Sequence, residues 1–119
     1  MEFLEFHACD TLRSELKKHR LKLLELSKMS EEQLDQSLYQ ITNCLTFTNE
    51  ALVPFEYWVK ADNLVRDIDM EDIAFVTLAE FLGIKLWTGD RVLIKSLARK
   101  GYTNFITTDE LFKLRDLLE

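Results

Sequence analysis

The sequence predicts an α/β domain: a small parallel sheet of about four strands, flanked by helices on both faces. Three observations carry that expectation. Short runs rich in β-branched and aromatic residues alternate with segments of helical periodicity. From residue 67 onward the order reads helix, strand, helix, strand, helix, and strands joined through helices must run parallel, with right-handed crossovers. Only 3 Gly and 1 Pro leave little chain for long irregular loops. At 119 residues the chain has room for one hydrophobic core, so a single domain is expected over residues 1–119.

Leu4 to Cys9 alternates loosely and reads as a first strand. Asp10 or Thr11 then caps a helix to about Ser27, with its seam at Leu12, Leu16, His19, Leu23 and Leu26. Ser30 followed by Gln33 is a capping-box pattern, and the helix it opens carries Leu34, Leu38, Ile41 and Leu45. These two helices form a hairpin. Cys44 to Thr48 is the second strand, and residues 51–66 read as a helix with Pro54 in the first turn, where proline is tolerated. Asp67-Ile68-Asp69 breaks it, and Asp69 caps the next helix, Met70 to Leu82. That helix is apolar nearly all round and is therefore expected to be buried, with Gly83 as its stop. Ile84 to Thr88 is the third strand, followed by a helix capped by Asp90 and closed by Gly101. Asn104 to Thr107 is the fourth strand, and Thr108-Asp109-Glu110 opens a final amphipathic helix.

The net charge of -6 is the wrong sign for binding nucleic acid by bulk electrostatics alone. Basic residues nevertheless cluster, in Lys17-Lys18-His19-Arg20-Leu21-Lys22 and in Arg91, Lys95, Arg99 and Lys100. Each cluster is either a solvated helix face or a stripe that meets phosphates, and Lys18, Lys22, Arg91 and Lys95 are the candidates for RNA contact. Cys9 and Cys44 match no metal-ligand or redox spacing and are expected as buried free thiols in a reducing compartment. No apolar run is long enough for a membrane span, and Met1 to Phe6 lacks the basic start of a signal peptide; a cytoplasmic protein is expected. Trp58, Trp87 and His19 read as core or core-edge residues.

The residues with chemical potential are acids. In open parallel sheets, sites form beyond the carboxyl ends of the strands, where the following helices present their amino ends. Asp90 follows a strand directly, Asp72 lies in the first turn of the preceding helix, and Glu15 lies near the start of the helix after the first strand. Carboxylates gathered at one sheet edge repel unless a cation sits between them. Taken singly, each has a plainer role. Asp90 and Asp69 are good helix caps, and Glu15 can pair with His19 one turn on.

The run Asp67-Ile68-Asp69-Met70-Glu71-Asp72-Ile73-Ala74-Phe75-Val76-Thr77-Leu78-Ala79, followed by Leu86-Trp87-Thr88-Gly89-Asp90, resembles the second half of a PIN domain. Thr11 to His19 resembles the helix that supplies that family's second acid. The resemblance runs from about Leu4 to Leu118. It implies a PIN-like fold and hydrolysis of single-stranded RNA by metal-activated water. Glu15, Asp72 and Asp90 would be ligands to Mg²⁺ or Mn²⁺, Thr88 a catalytic polar partner, and Asp69 an auxiliary acid. An antitoxin protein, RNA and a further copy of the chain are the implied partners. The family's chain opens with a strand ending in the first acid of the site. This sequence starts at what resembles the second strand, so it is expected to be short at its amino end, with an incomplete site. Loss of a central strand would expose a sheet edge and an apolar face. The alternative implied function is a non-catalytic PIN-fold protein that acts through oligomerisation or partner binding.

Overall fold

The computed structural model describes residues 4–118. Among them are four strands and seven helices: β1 (Phe6–Cys9), α1 (Thr11–Lys18), α2 (Arg20–Ser27), α3 (Glu31–Asn43), β2 (Leu45–Thr48), α4 (Phe55–Val65), α5 (Ile73–Leu82), β3 (Leu86–Trp87), α6 (Arg91–Arg99), β4 (Phe105–Ile106) and α7 (Thr108–Leu118). Single 3₁₀ turns at Glu50–Leu52 and Met70–Asp72 lead into α4 and α5. The expected α/β class and the alternation of strand and helix are both present.

All strand pairing is parallel, as the helical connections require, but the sheet is divided. β1 pairs with β2, Phe6 opposite Leu45 to Cys9 opposite Thr48, and β3 pairs with β4, Leu86 opposite Phe105 and Trp87 opposite Ile106. Among the described residues the two pairs are not hydrogen-bonded to each other. The expected continuous four-stranded sheet is therefore two ribbons, and β3 and β4 are shorter than their apolar runs suggested.

Helix α5 holds the halves together, packing against both β1 and β3 and most extensively against α4. Its side chains divide between two clusters. Val76 joins Ala61, Val65, Leu93, Leu97 and Tyr102 in one, while Ala74 and Leu78 join Cys9 in the other. A helix with a core on two sides needs apolar residues round most of its circumference, which is why this one lacks a polar face. Gly83, in the left-handed region at φ 65°, ends it as expected.

Several local expectations are corrected. The first helix is interrupted at His19 (φ -101°, ψ 15°), within a run whose like-charged Lys18 and Lys22, one turn apart, disfavour continuous helix. His19 is exposed, not a core-edge residue, and Leu26 on the same predicted seam is 69% exposed. Leu45 begins β2 and does not extend the seam of α3. Pro54 is the residue before α4, not part of its first turn. Cys9 is buried but Cys44, at the end of α3, is exposed. Trp58 is half-buried against the Cys9 cluster, whereas Trp87 is 53% exposed. The ring is covered only in part, held by Phe6 at 5.7 Å between ring centroids and by a 3.0 Å hydrogen bond from Nε1 to the Thr108 hydroxyl.

Candidate functional site

The carboxyl end of β3 leads through Thr88 and Gly89 to Asp90, whose Oδ1 accepts hydrogen bonds from the amides of Val92 (3.0 Å) and Leu93 (3.2 Å). That is the cap expected from sequence, and it fixes the carboxylate at the amino end of α6. The Thr88 hydroxyl accepts from the Asp90 amide at 3.1 Å, so its contact here is to the turn's backbone. Asp69 caps the 3₁₀ turn, its Oδ1 accepting from the Glu71 amide at 2.9 Å.

Asp72 differs from both. It stands where the 3₁₀ turn passes into α5, and its side chain makes no capping bond. Its carboxyl is half-buried, and its pKa is pushed up to about 6 by that burial and by the negative charges of Asp69, Asp90, Glu71 and Glu15. Four carboxylates therefore act on a fifth across the amino ends of α5 and α6 and one side of α1. Glu15 is half-buried on α1, its Oε2 3.2 Å from His19 Nε2, the pairing one turn on that its position suggested. Lys18, one turn beyond Glu15, reaches Glu71 Oε1 at 3.5 Å. The acids thus share one electrostatic neighbourhood, but among the described residues no three Asp, Glu, His or Cys side chains are grouped closely enough to hold a metal ion.

The donor chemistry is that of a hard cation. Every candidate ligand offers carboxylate oxygen, the type preferred by Mg²⁺ and Mn²⁺. A half-buried carboxylate whose charge is disfavoured by burial and by its acidic neighbours has most to gain from such a charge. Of the basic candidates, Lys18 is tied to the acid edge through Glu71, and Arg91 follows Asp90 in the first turn of α6 with Lys95 one turn further on. Lys22 is exposed on α2, beyond the break at His19.

Sequence reasoning missed Glu50. Asp10 precedes α1 but makes no side-chain cap. Glu50, just past β2, supplies that function from 39 to 40 residues away: its carboxylate accepts the amides of Asp10 (2.8 Å) and Thr11 (3.0 Å) and the Thr11 hydroxyl. Pairing of β1 with β2 brings it there, since Cys9 lies opposite Thr48. The only local signal is an acid two residues after a strand. Glu71, inside the acidic run Asp67 to Asp72, also adds its charge to the field at Asp72.

A family model described as a PIN domain matches residues 1–111. No curated protein and no solved structure matches the chain. Among the described residues no helix is long and apolar enough to cross a membrane.

Proposed function

The chain belongs to the PIN domain family, and from that membership we propose that it is a Mg²⁺- or Mn²⁺-dependent ribonuclease acting on single-stranded RNA. PIN domains are generally nucleases, typically use divalent metals and commonly bind RNA or antitoxins. The single observation that carries the reading to this chain is Asp72. A carboxyl with its pKa pushed up to about 6 by burial and four neighbouring acids is an anion lacking a partner.

In this reading Asp72, Asp90 and Glu15 would hold the metal, and Asp69 would reinforce the negative field. Metal ions bound there would supply positive charge to offset that of the phosphodiester and to activate a water. The chain's own residues do the rest. Asp90 is held by α6, so its carboxylate needs no ordering when the cation arrives. Asp72 would offer a carboxylate whose repulsion by its acidic neighbours a bound cation would relieve. Thr88 fixes the turn that aims Asp90, which makes it a positioning residue here. Lys18, Arg91, Lys95 and Lys22 offer charge to the RNA backbone, and Lys18 can exchange Glu71 for a phosphate. The single domain, a cytoplasmic location, an antitoxin partner and self-association belong to the same proposal.

A second reading, a PIN-fold protein that does not cut and acts through partner binding or oligomerisation, is favoured by one observation: the acids do not close into a three-ligand group. Asp90→Asn separates the two. Asparagine caps a helix about as well as aspartate, so the fold is retained while the charge is lost. The expected result is Mn²⁺-dependent cleavage of single-stranded RNA by the wild type and a loss of at least about 100-fold in the variant. Equal cleavage by both proteins would contradict the enzymatic reading.

A further inference from the structure

We propose that Lys100 is a positioning residue for the acid edge: its ammonium, fixed between the carboxyl end of α4 and Asp67, anchors the segment from Asp67 to Asp72 along α6 and so sets Asp72 against Asp90. What this means for a bound metal rests on the proposed function; the placement of the two acids does not.

Lys100 Nζ donates to three oxygens in one locality: Asn63 O at 3.2 Å, Leu64 O at 2.9 Å and a carboxylate oxygen of Asp67. These use all three ammonium protons. The two carbonyls lie in the last turn of α4, where the helix's own donors run out. Their neighbours are served by backbone amides, Asp62 O by Arg66 and Val65 O by Ile68 and Asp69. Among the described residues no backbone amide beyond the helix reaches Asn63 O or Leu64 O, and the ammonium takes both. An ion pair alone would hold little, since the Asp67 side chain is 70% exposed. The carbonyls change that, because the lysine closes the end of a helix from a different part of the chain.

The consequence reaches the acids through α6. Asp90 precedes that helix and Lys100 follows it, so they mark the two ends of a rod about 14 Å long. The acidic segment touches both ends in reverse order. Asp67 meets Lys100, which holds its carboxyl below the usual range, while Asp72 lies in the field of Asp90. Between them Ile68 packs against the cluster containing Leu93 and Leu97 of α6, as does Ile73 just beyond. The segment therefore runs antiparallel to α6, pinned at Asp67 and delivering Asp72 at the other end. Asp72 makes no capping bond of its own, so the path of the backbone before it decides where its carboxyl lies. Asp90 is already fixed at the start of α6 by two amides. One residue at the far end of α6 thus ties the loop that brings Asp72 to the helix that carries Asp90.

The test compares the wild-type protein with Lys100→Met, which keeps the stem and loses the ammonium, and with Ser30→Ala, which weakens the cap of α3 instead. In metal-free protein Lys100→Met is expected to speed amide exchange at Ile68, Asp69 and Asp72 by at least about tenfold relative to Ile94 in α6. Mn²⁺ titration by calorimetry is expected to show a Kd raised by at least about tenfold, with the cleavage rate at saturating Mn²⁺ within about threefold of wild type. Ser30→Ala should leave both readouts unchanged. Unchanged exchange at Asp72 overturns the proposal, as does unchanged Mn²⁺ affinity where the wild type binds the ion. Equal weakening of Mn²⁺ binding by Ser30→Ala overturns it too, since Lys100 would then act only through general stability. If the wild type binds no Mn²⁺ at millimolar concentration, the metal reading fails, and exchange at Asp72 alone decides whether Lys100 places the acids.

Discussion

Glu50 and Asp72 are both partly buried carboxylates beside the start of a helix, and they are held in opposite ways. Burial alone would raise the Glu50 carboxyl, but the Thr11 hydroxyl and the amides of Glu50, Asp10 and Thr11 outweigh it and hold the pKa below its ordinary value. Asp72 has the burial without the donors, and its neighbours are acids; its pKa rises to about 6. The first carboxylate is complete as it stands and secures the junction of β1, α1 and β2. The second is costly to ionise until a cation arrives. Satisfaction by donors, more than position at a helix start, separates a structural acid from one available for chemistry.

The largest expected effect comes from breaking the satisfied side. Glu50→Ala leaves the amides of Asp10 and Thr11 and the Thr11 hydroxyl without their acceptor, and should lower stability in urea denaturation by about 2–3 kcal/mol. Glu50→Gln keeps one acceptor oxygen and should lose about half of that.

The unsatisfied side should respond with the opposite sign. Asp72→Asn removes a half-buried charge among like charges and should stabilise the metal-free protein at pH 7 by about 1 kcal/mol, after allowing for solvent screening. That corresponds to about 4 °C in Tm, and the same variant should lose the stabilisation by Mn²⁺ expected of the wild type.

The pH dependence sharpens the contrast. The folded pKa of Asp72, about 6, lies above its ordinary 3.8, so the folded state holds its proton longer. Its contribution should therefore make metal-free stability fall as pH rises from about 4 to about 6, a slope that Asp72→Asn removes. Glu50, with its folded pKa lowered, contributes stability above its ordinary 4.5 that is lost as pH falls through the folded value. Denaturation midpoints of the two variants across this range separate the terms.

Smallest is Lys18→Ala. Its ion pair with Glu71 is exposed, so stability should change by less than about 0.5 kcal/mol. RNA affinity should fall, and the slope of affinity against salt should lessen by about one ion.

What the sequence made legible was what local chemistry decides. Ser30 and Gln33 form the expected capping box, Asp90 caps α6 as expected, and Gly83 ends a helix buried on two sides. The parallel sense of the strands followed from the helices between them. Properties set by distant partners were not legible. Nothing near Asp10 announces that Glu50 takes its place as the cap, because strand pairing makes that contact. The division of the sheet was equally hidden, since an apolar run such as Ile84 to Thr88 looks the same with one neighbour or two. The candidate acids were legible as residue types at helix starts, but the difference between Asp72 and Asp90 depends on which donors each one meets.

The most direct test is the pKa of the Asp72 carboxyl, followed by the carbon-13 shift of its Cγ in metal-free protein and with millimolar Mg²⁺. A midpoint near 6 is expected without metal, moving down toward the ordinary aspartate value of about 3.9 when Mg²⁺ is present. An ordinary midpoint that does not move with Mg²⁺ would contradict it.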